Sequence, residues 1–271
     1  MIIKKSRAEV DRMARAGELV ARAHEEVAAA VAPGVSTRDL DQIAEKVIRG
    51  GGGIPSFVGY AGIPGVREPF PATLCTSVNE QIVHGIPSDD VVLREGDLVK
   101  VDCGAIADGF HADSAATWIV GGFDAVAPEV AELVRATREG LWAGLRAAVA
   151  GNRLGDVGAA IAGVAEPHGY GVVQEYVGHG IGRALHEEPS VPNYGTPGRG
   201  QRLSRGWVLA IEPMFNLGTH KTETLSDGWT VVTADGALSA HWEHTVAITD
   251  VGPWVLTARS DEPPYALSVA T

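Results

Sequence analysis

Four acids and one histidine in this 271-residue chain stand in surroundings that suit catalysis better than folding. Asp102 closes the apolar run Leu98-Val99-Lys100-Val101, and Glu212 closes Val208-Leu209-Ala210-Ile211. Asp113 lies inside the run Phe110 to Val120, and Glu243 interrupts Trp242, Thr245 and Val246. A buried, unpaired carboxylate is costly, and acids forced together need a cation, a shared proton or water. Asp102 and Asp113 flank an Ala107-Asp108-Gly109 turn signal almost symmetrically, which makes them near-opposite neighbours across one hairpin. His179 sits in Gly178-His179-Gly180-Ile181-Gly182, where glycines leave an imidazole unobstructed. One imidazole and four carboxylates suit two divalent ions that share bridging acids. Asp102, Asp113, His179, Glu212 and Glu243 are therefore the candidate metal ligands of a hydrolase.

The elements that must position them occur twice in the same order. Ser6-x-x-Glu9 is a capping box for a first helix whose stripe runs Val10, Met13, Ala14, Val20 and Val27 and ends at Pro33-Gly34. Ser36-x-x-Asp39 opens a second, with Leu40, Ile43, Ala44, Val47 and Ile48 on one face and a stop at Gly50 to Gly53. Strands follow at Leu74 to Val78, Leu98 to Cys103 and Phe110 to Val120. A second helix pair opens near Pro128-Glu129 and near Asp156, before strands at Val208 to Glu212, Trp229 to Thr233 and Trp242 to Thr249. His84-Gly85-Ile86-Pro87-Ser88 matches His186-Glu187-Glu188-Pro189-Ser190, and the strand Gly96 to Asp102 matches Gly206 to Glu212. Each half thus supplies a His-x-x-Pro-Ser, a strand-end acid and a later acid, and a pseudo-twofold axis would bring the two sets together. His84 and His186 repeat without adding to the acids, which suits contact with substrate. His24, His111, His168, His220, His241 and His244 follow no such pattern and are expected to be solvated or packing residues.

A formal net charge of -12 argues against binding a phosphate backbone or an anionic membrane. Nothing in the chain has the length of a membrane span, and Met1-Ile2-Ile3-Lys4-Lys5 leads straight into the first helix instead of a leader core, so a cytoplasmic place is expected. Cys75 and Cys103 are too few for a disulfide framework and are not spaced as a zinc pair, so both are expected to be reduced thiols.

Five segments carry a resemblance. They are Ser77-Val78-Asn79-Glu80 with His84-Gly85-Ile86-Pro87, Val101-Asp102 with Phe110-His111-Ala112-Asp113, Gly178 to Arg183 with His186-Glu187-Glu188-Pro189, Ile211-Glu212-Pro213-Met214, and Trp242-Glu243-His244-Thr245. In this order, over about residues 6 to 257, the chain resembles the type I methionine aminopeptidases in their bacterial-type short form, without the zinc-finger extension of longer relatives. The resemblance implies an α+β pita-bread (creatinase/aminopeptidase-like) fold: one catalytic domain over 1–271, with halves at about 6–122 and 123–257 and a tail at about 258–271. It implies that Asp102 holds a first metal, that His179 and Glu212 hold a second, and that Asp113 and Glu243 bridge them. The cofactors are then two divalent ions drawn from Co, Mn, Fe, Zn or Mg.

The same resemblance makes Glu212 the proton shuttle, sets His186 to stabilise the oxyanion and sets His84 against the scissile amide. Phe57, Tyr60, Cys75, Leu185 and Trp229 are expected to line a methionine pocket, where apolar, aromatic and sulfur-bearing walls suit a thioether. The implied partners are nascent polypeptide N-termini at the ribosome, met by a monomer, with no nucleic acid and no membrane. The loop Gly62 to Pro71 is longer than the family's usual link, with Ile63 where an aromatic is common. Xaa-Pro aminopeptidases and prolidases share fold and ligands but carry a large extra N-terminal domain, for which there is no room before Ser6. A metal-free creatinase-like hydrolase or an inactive paralogue acting as a binding module would have lost ligands, and none is lost.

Overall fold

In a computed structural model, residues 2–61 and 68–266 are described. The part of the long loop from 62 to 67, Ile63 included, and the end of the tail, 267–271, lie outside the described residues. Helix α1 (Arg7–Ala30) starts at Ser6, whose hydroxyl accepts from the Glu9 backbone N–H while the Glu9 carboxylate accepts from the Ser6 N–H. Helix α2 (Thr37–Gly50) starts on the same reciprocal cap between Ser36 and Asp39. Such boxes satisfy N–H groups that have no partner inside the helix. Helix α3 (Pro128–Ala147) begins with proline, whose fixed φ suits the first helical position, and α4 (Leu154–Ala165) packs against it.

In the first half, β1 (Leu74–Val78), β2 (Leu98–Ala107) and β3 (Phe110–Ile119) form an antiparallel sheet, completed by Ile54–Pro55 on the β1 side of β2. Asp108 and Gly109 both take positive φ, 51° and 75°, as a two-residue hairpin turn requires. That turn centres the ladder between Asp108 and Gly109, so Asp102 faces Ala115 and Asp113 faces Gly104. Asp102 and Asp113 are thus diagonal neighbours on one face, not the near-opposite pair expected from their numbers, because the turn sits one residue later than their midpoint.

In the second half, β4 (Gly178–Gly180), β5 (Glu187–Val191), β6 (Val208–Ile211), β7 (His244–Thr249) and β8 (Gly252–Val255) give a five-stranded sheet of order β8-β7-β6-β4-β5. The strand expected from Trp242 is shorter: Trp242 and Glu243 lie between Ser239–His241 and β7. The reason is a bond to the other half. Glu243 N–H donates to the Ala115 carbonyl at 2.9 Å, and Ala115 N–H donates back to the Glu243 carbonyl at 3.3 Å. Likewise the strand expected from Trp229 begins at Val231, since the Trp229 and Thr230 N–H groups donate to the Asp227 carboxylate.

Three of the four apolar clusters among the described residues position the site. Val20, Val27, Leu40 and Ile48 of α1 and α2 pack on Val99, Val101 and Cys103. Leu141, Leu145 and Ile161 of α3 and α4 pack with Leu209, Ile211, Phe215 and Val246. Between them a third cluster joins Met13 of α1 to Phe57, Phe70, Cys75, Leu185 and Trp229. Each fully buried aliphatic or aromatic side chain contributes about 1.5–3 kcal/mol relative to exposure.

Gly17 lies where α1 crosses the chain after β8, and a Cβ there would overlap the Leu256 carbonyl. Gly163 on α4 has no described residue within 4 Å of an added Cβ. Gly17→Ala should therefore cost about 1–3 kcal/mol despite its better helix propensity, whereas Gly163→Ala should add about 0.5–1 kcal/mol. Thermal unfolding checks both, at about 2–4 °C per kcal/mol for a chain of this size, and a gain in stability for Gly17→Ala would refute the packing at that crossing.

Candidate metal centre

The β2–β3 hairpin and the paired strands β6 and β7 place their acids at the seam between the halves. Asp102 and Asp113 share one face of the β2–β3 ladder, and Glu212 and Glu243 follow and precede Ile211 and His244, which pair directly. His179 pairs with Ala210 on β4–β6, two residues before Glu212, so both project from the same face. His179 Nε2 lies 3.7 Å from Glu212 Oε1. Asp113, His179 and Glu243 each offer a ligand atom, all within 4.8 Å of one another. The seam is fastened around them: Asp113 N–H donates to Thr245 Oγ1, which donates to the Asp113 carbonyl, and Ser114 Oγ donates to the Glu243 carbonyl.

The electrostatics of this cluster call for positive charge. Burial, then the charges of Asp113 and Glu212, push the Asp102 carboxyl well above its usual range. Burial does the same to Glu212 and Glu243, each also raised by Asp113, and carries Asp113 to about 7. Asp102 Oδ1 and Glu243 Oε1 are buried with no hydrogen-bond partner among the described residues. His179, by contrast, is kept neutral by burial, its pKa lowered to about 3, and its Nδ1 lies 2.9 Å from the Gly180 carbonyl. With Nδ1 carrying the proton, Nε2 presents a lone pair to the acids. Unmatched carboxylate oxygens and a bare imidazole nitrogen fit divalent cations by number and type.

One cavity of about 570 Å3 opens onto this cluster, and its lining includes Asp102, Asp113, His179, Glu212 and Glu243 as well as His84, His186, Phe57, Tyr60, Cys75, Leu185 and Trp229. The structure therefore brings together every site residue expected from the sequence. His186 lies with its ring centroid 4.2 Å from that of His179, and its Nδ1 is 2.6 Å from the Tyr60 hydroxyl. Burial lowers the His186 pKa. His84, at φ 61°, is wedged edge-on between Tyr176 and Trp229, and burial takes its pKa to about 4. Cys75 and Cys103 are both free thiols, and burial pushes both upward.

Phe70, Val83, Glu175, Tyr176 and Val177 also line the cavity without having stood out in the sequence, and Ser190, marked there only as the end of the second His-x-x-Pro-Ser, lines it too. Phe70 lay unmarked in a Pro- and Gly-rich loop, and the only local signal for Tyr176 is its place three residues before His179. Of the histidines expected to solvate or pack, His24, His241 and His244 are fully buried and His111 bonds Ser56 through Nδ1. His241 stands 4.0 Å from Glu212 Oε2.

Residues 11–250 match the model of metallopeptidase family M24. The chain is 51% identical over 263 residues to methionine aminopeptidase 1 of Mycobacterium tuberculosis, covering 95% of each chain. It is 50% identical over 257 residues to the methionine aminopeptidase of Clostridium acetobutylicum, covering 95% of this chain and 99% of that one. The crystal structure of methionine aminopeptidase from Thermotoga maritima superposes with a TM-score of 0.90 at 42% identity, covering 96% of this chain and all of that one. Prolidase from Pyrococcus furiosus, at 22% identity and a TM-score of 0.72, shares the fold.

The raised carboxyl values set a pH dependence. These acids hold protons more tightly in the metal-free folded chain than when unfolded, so their ionisation works against folding from about pH 4 upward, through about 7 for Asp113. A divalent cation must displace those protons, while His179 is already neutral. The rise in melting temperature given by a saturating divalent cation should therefore be larger at about pH 8 than at about pH 5. Equal rises at both pH values would show that the cation binds elsewhere.

Proposed function

This chain belongs to metallopeptidase family M24, and within it to the type I methionine aminopeptidases, and on that premise we propose that it removes the N-terminal methionine of nascent proteins and peptides whose second residue is small. Its fold is the pita-bread fold of two αβ halves around a metal site. The observation that carries the assignment is the single cavity in which an aromatic, apolar and sulfur-bearing wall, Phe57, Tyr60, Cys75, Leu185 and Trp229, adjoins the acid cluster. Such a wall takes a thioether side chain and leaves the adjoining peptide bond beside the acids.

Asp102 and the pair His179 and Glu212 would hold one divalent ion each, with Asp113 and Glu243 shared; Co, Mn, Fe, Zn and Mg all suit such oxygen-rich ligands. When bound, the ions lower the pKa of water and polarise a carbonyl. The free amine of the substrate belongs at this cluster, which limits cleavage to one residue at a time. Glu212 takes the proton from the attacking water on its carboxylate and returns it to the leaving nitrogen. With the Tyr60 hydroxyl donating to His186 Nδ1, the neutral His186 ring carries its proton on Nε2 and donates it to the carbonyl oxygen as negative charge builds there. His84, neutral and held between Tyr176 and Trp229, faces the scissile amide.

The substrates are the N-termini of nascent chains, and we extend the proposal to chains emerging from a ribosome in the cytoplasm and to a monomer that binds neither nucleic acid nor membrane. The net charge of -12 supports this, and no helix among the described residues is long and apolar enough to cross a membrane.

Exhaustive metal removal should abolish peptide hydrolysis and added divalent cation should restore it; full activity in verified metal-free protein would end the two-metal assignment. His179→Ala should lose bound metal, whereas His186→Ala should keep it and lower kcat by about a hundred- to a thousandfold. Equal metal loss in both variants would put His186 among the ligands. With the first side chain buried, the second presses against the cavity rim, so Met-Ala-Ser should be cleaved far more efficiently than Met-Lys-Ser or Met-Leu-Ser, and N-formylated peptides should not react. A kcat/KM series over Met-Xaa-Ser and Ala-Pro peptides decides it: comparable values for Met-Ala and Met-Lys, or preference for Ala-Pro, would reassign the chain to a broader aminopeptidase or an Xaa-Pro enzyme.

A further inference from the structure

Successive residues of an extended chain face opposite ways, and the seam that turns Asp113 and Glu243 toward the substrate cavity turns Trp242 toward a second cavity of about 440 Å3. Its walls are aromatic faces carrying guanidinium groups. Arg138 and Arg259 lie over the Trp242 ring at 5.2 and 5.3 Å, and Arg135 lies over Phe123 at 4.5 Å. Trp118 contributes a further ring, tilted against His24. These cations are not waiting for an anion, since Arg138 and Arg259 both bond Glu262, and Arg138 also reaches Asp261.

Three buried polar atoms among these lining residues have no hydrogen-bond partner among the described residues: His24 Nδ1, Trp242 Nε1 and Arg138 Nε. His24 is 1% exposed, and its Nε2 lies 2.7 Å from the Ser114 carbonyl, to which it donates. Nδ1 is therefore a bare acceptor, and Trp242 Nε1 and Arg138 Nε are unmatched donors. Burial holds the ring neutral, with a pKa near about 3, so the acceptor persists across ordinary pH. Leaving a buried donor or acceptor unmatched is costly, because the group gives up water and gains nothing in return. A group that offers one N–H and one carbonyl oxygen from a flat frame answers this set.

We propose that this cavity binds a neutral, planar carboxamide on an aromatic ring, the amide N–H donating to His24 Nδ1, the carbonyl accepting from Trp242 Nε1 or Arg138 Nε, and the ring packing among Trp118, Phe123 and Trp242. A carboxylate of the same shape has no proton for His24 Nδ1 and meets guanidiniums already paired with acids. The site is separate from that of the peptidase reaction, and its wall reaches the metal cluster through one residue each way: Trp242 precedes Glu243, and Ser114, held by His24, follows Asp113.

Benzamide and benzoate are the probes, titrated calorimetrically into the full chain loaded with divalent cation. Benzamide should bind at one saturable site, benzoate about tenfold or more weakly. Ala28→Phe places a ring among the lining residues from a part-exposed position on α1; it should abolish benzamide binding and leave peptide turnover unchanged. In the unsubstituted protein, the indole N–H resonance of Trp242, assigned with Trp242→Phe, should shift on adding benzamide, and this arm stands even if Ala28→Phe does not fold. Benzamide that leaves this resonance unmoved up to its solubility limit shows a cavity suited to water alone. Binding that persists in folded Ala28→Phe places benzamide in the substrate cavity, and benzoate binding as tightly shows an anion site; each of these overturns the proposal.

Discussion

Four carboxyl groups buried within reach of one another govern this molecule. Each is raised by desolvation and three also by a neighbour's charge, so the ionised cluster pushes itself apart unless cations occupy it. Such a cluster holds its shape only on rigid supports. Here the supports are strand ladders, and the halves are stitched across the seam by the reciprocal Ala115–Glu243 bonds and by the hydroxyls of Ser114 and Thr245. The same bonds that remove Glu243 from its strand aim its carboxylate at Asp113.

Behind the seam lies a second charged group that balances itself with the protein's own guanidiniums. The Glu262 carboxylate accepts from Arg259 and Arg138, stands 3.1 Å from His244 Nε2, and is held far below the usual carboxylate range. Thr257 Oγ1 joins this group by accepting the Thr245 N–H and lying 2.9 Å from His244 Nδ1. A buried ion network of this kind adds little net stability against an apolar alternative, but losing one member leaves the others uncompensated. Its structural effect is to lock residues 257 to 262 against His244, the neighbour of Glu243, so the segment after the last strand serves as a backing plate for the metal cluster.

The acids were legible in the sequence because a carboxylate at the end of an apolar run violates local rules, and His179 because glycines isolate it. The paired helices were legible through Ser6 and Ser36, whose caps are local in sequence. The diagonal offset of Asp102 and Asp113 was not, because it depends on which two residues take positive φ at the turn, and Ala107-Asp108-Gly109 admits either centre. The place of Glu243 outside β7 was also hidden, since its partner Ala115 lies in the other half and no local periodicity reports it. The clamp of Arg259 and Glu262 gave no signal at all: a charged pair three residues apart near a chain end looks like solvated surface until His244 is seen between them.

His186 shows how far the site depends on remote parts of the chain. It stands at the start of β5, next to Glu187, whose Oε1 accepts the Arg183 and Ala184 N–H groups and so fixes the turn that also carries Leu185. The other oxygen of Glu187 receives the Lys5 ammonium at 2.6 Å, in a pair almost wholly buried, and the Lys5 N–H donates to the Gly206 carbonyl just before β6. From the opposite wall the Tyr60 hydroxyl meets His186 Nδ1. On the reading proposed above, this imidazole donates from Nε2, which needs both its tautomer and its direction set. A Tyr60 hydroxyl that donates to Nδ1 sets the first, and the Lys5–Glu187 pair holds the turn that sets the second. The wall that carries His186 is thus tied to Lys5, two residues before α1, whose side chain and backbone both bond to the second half.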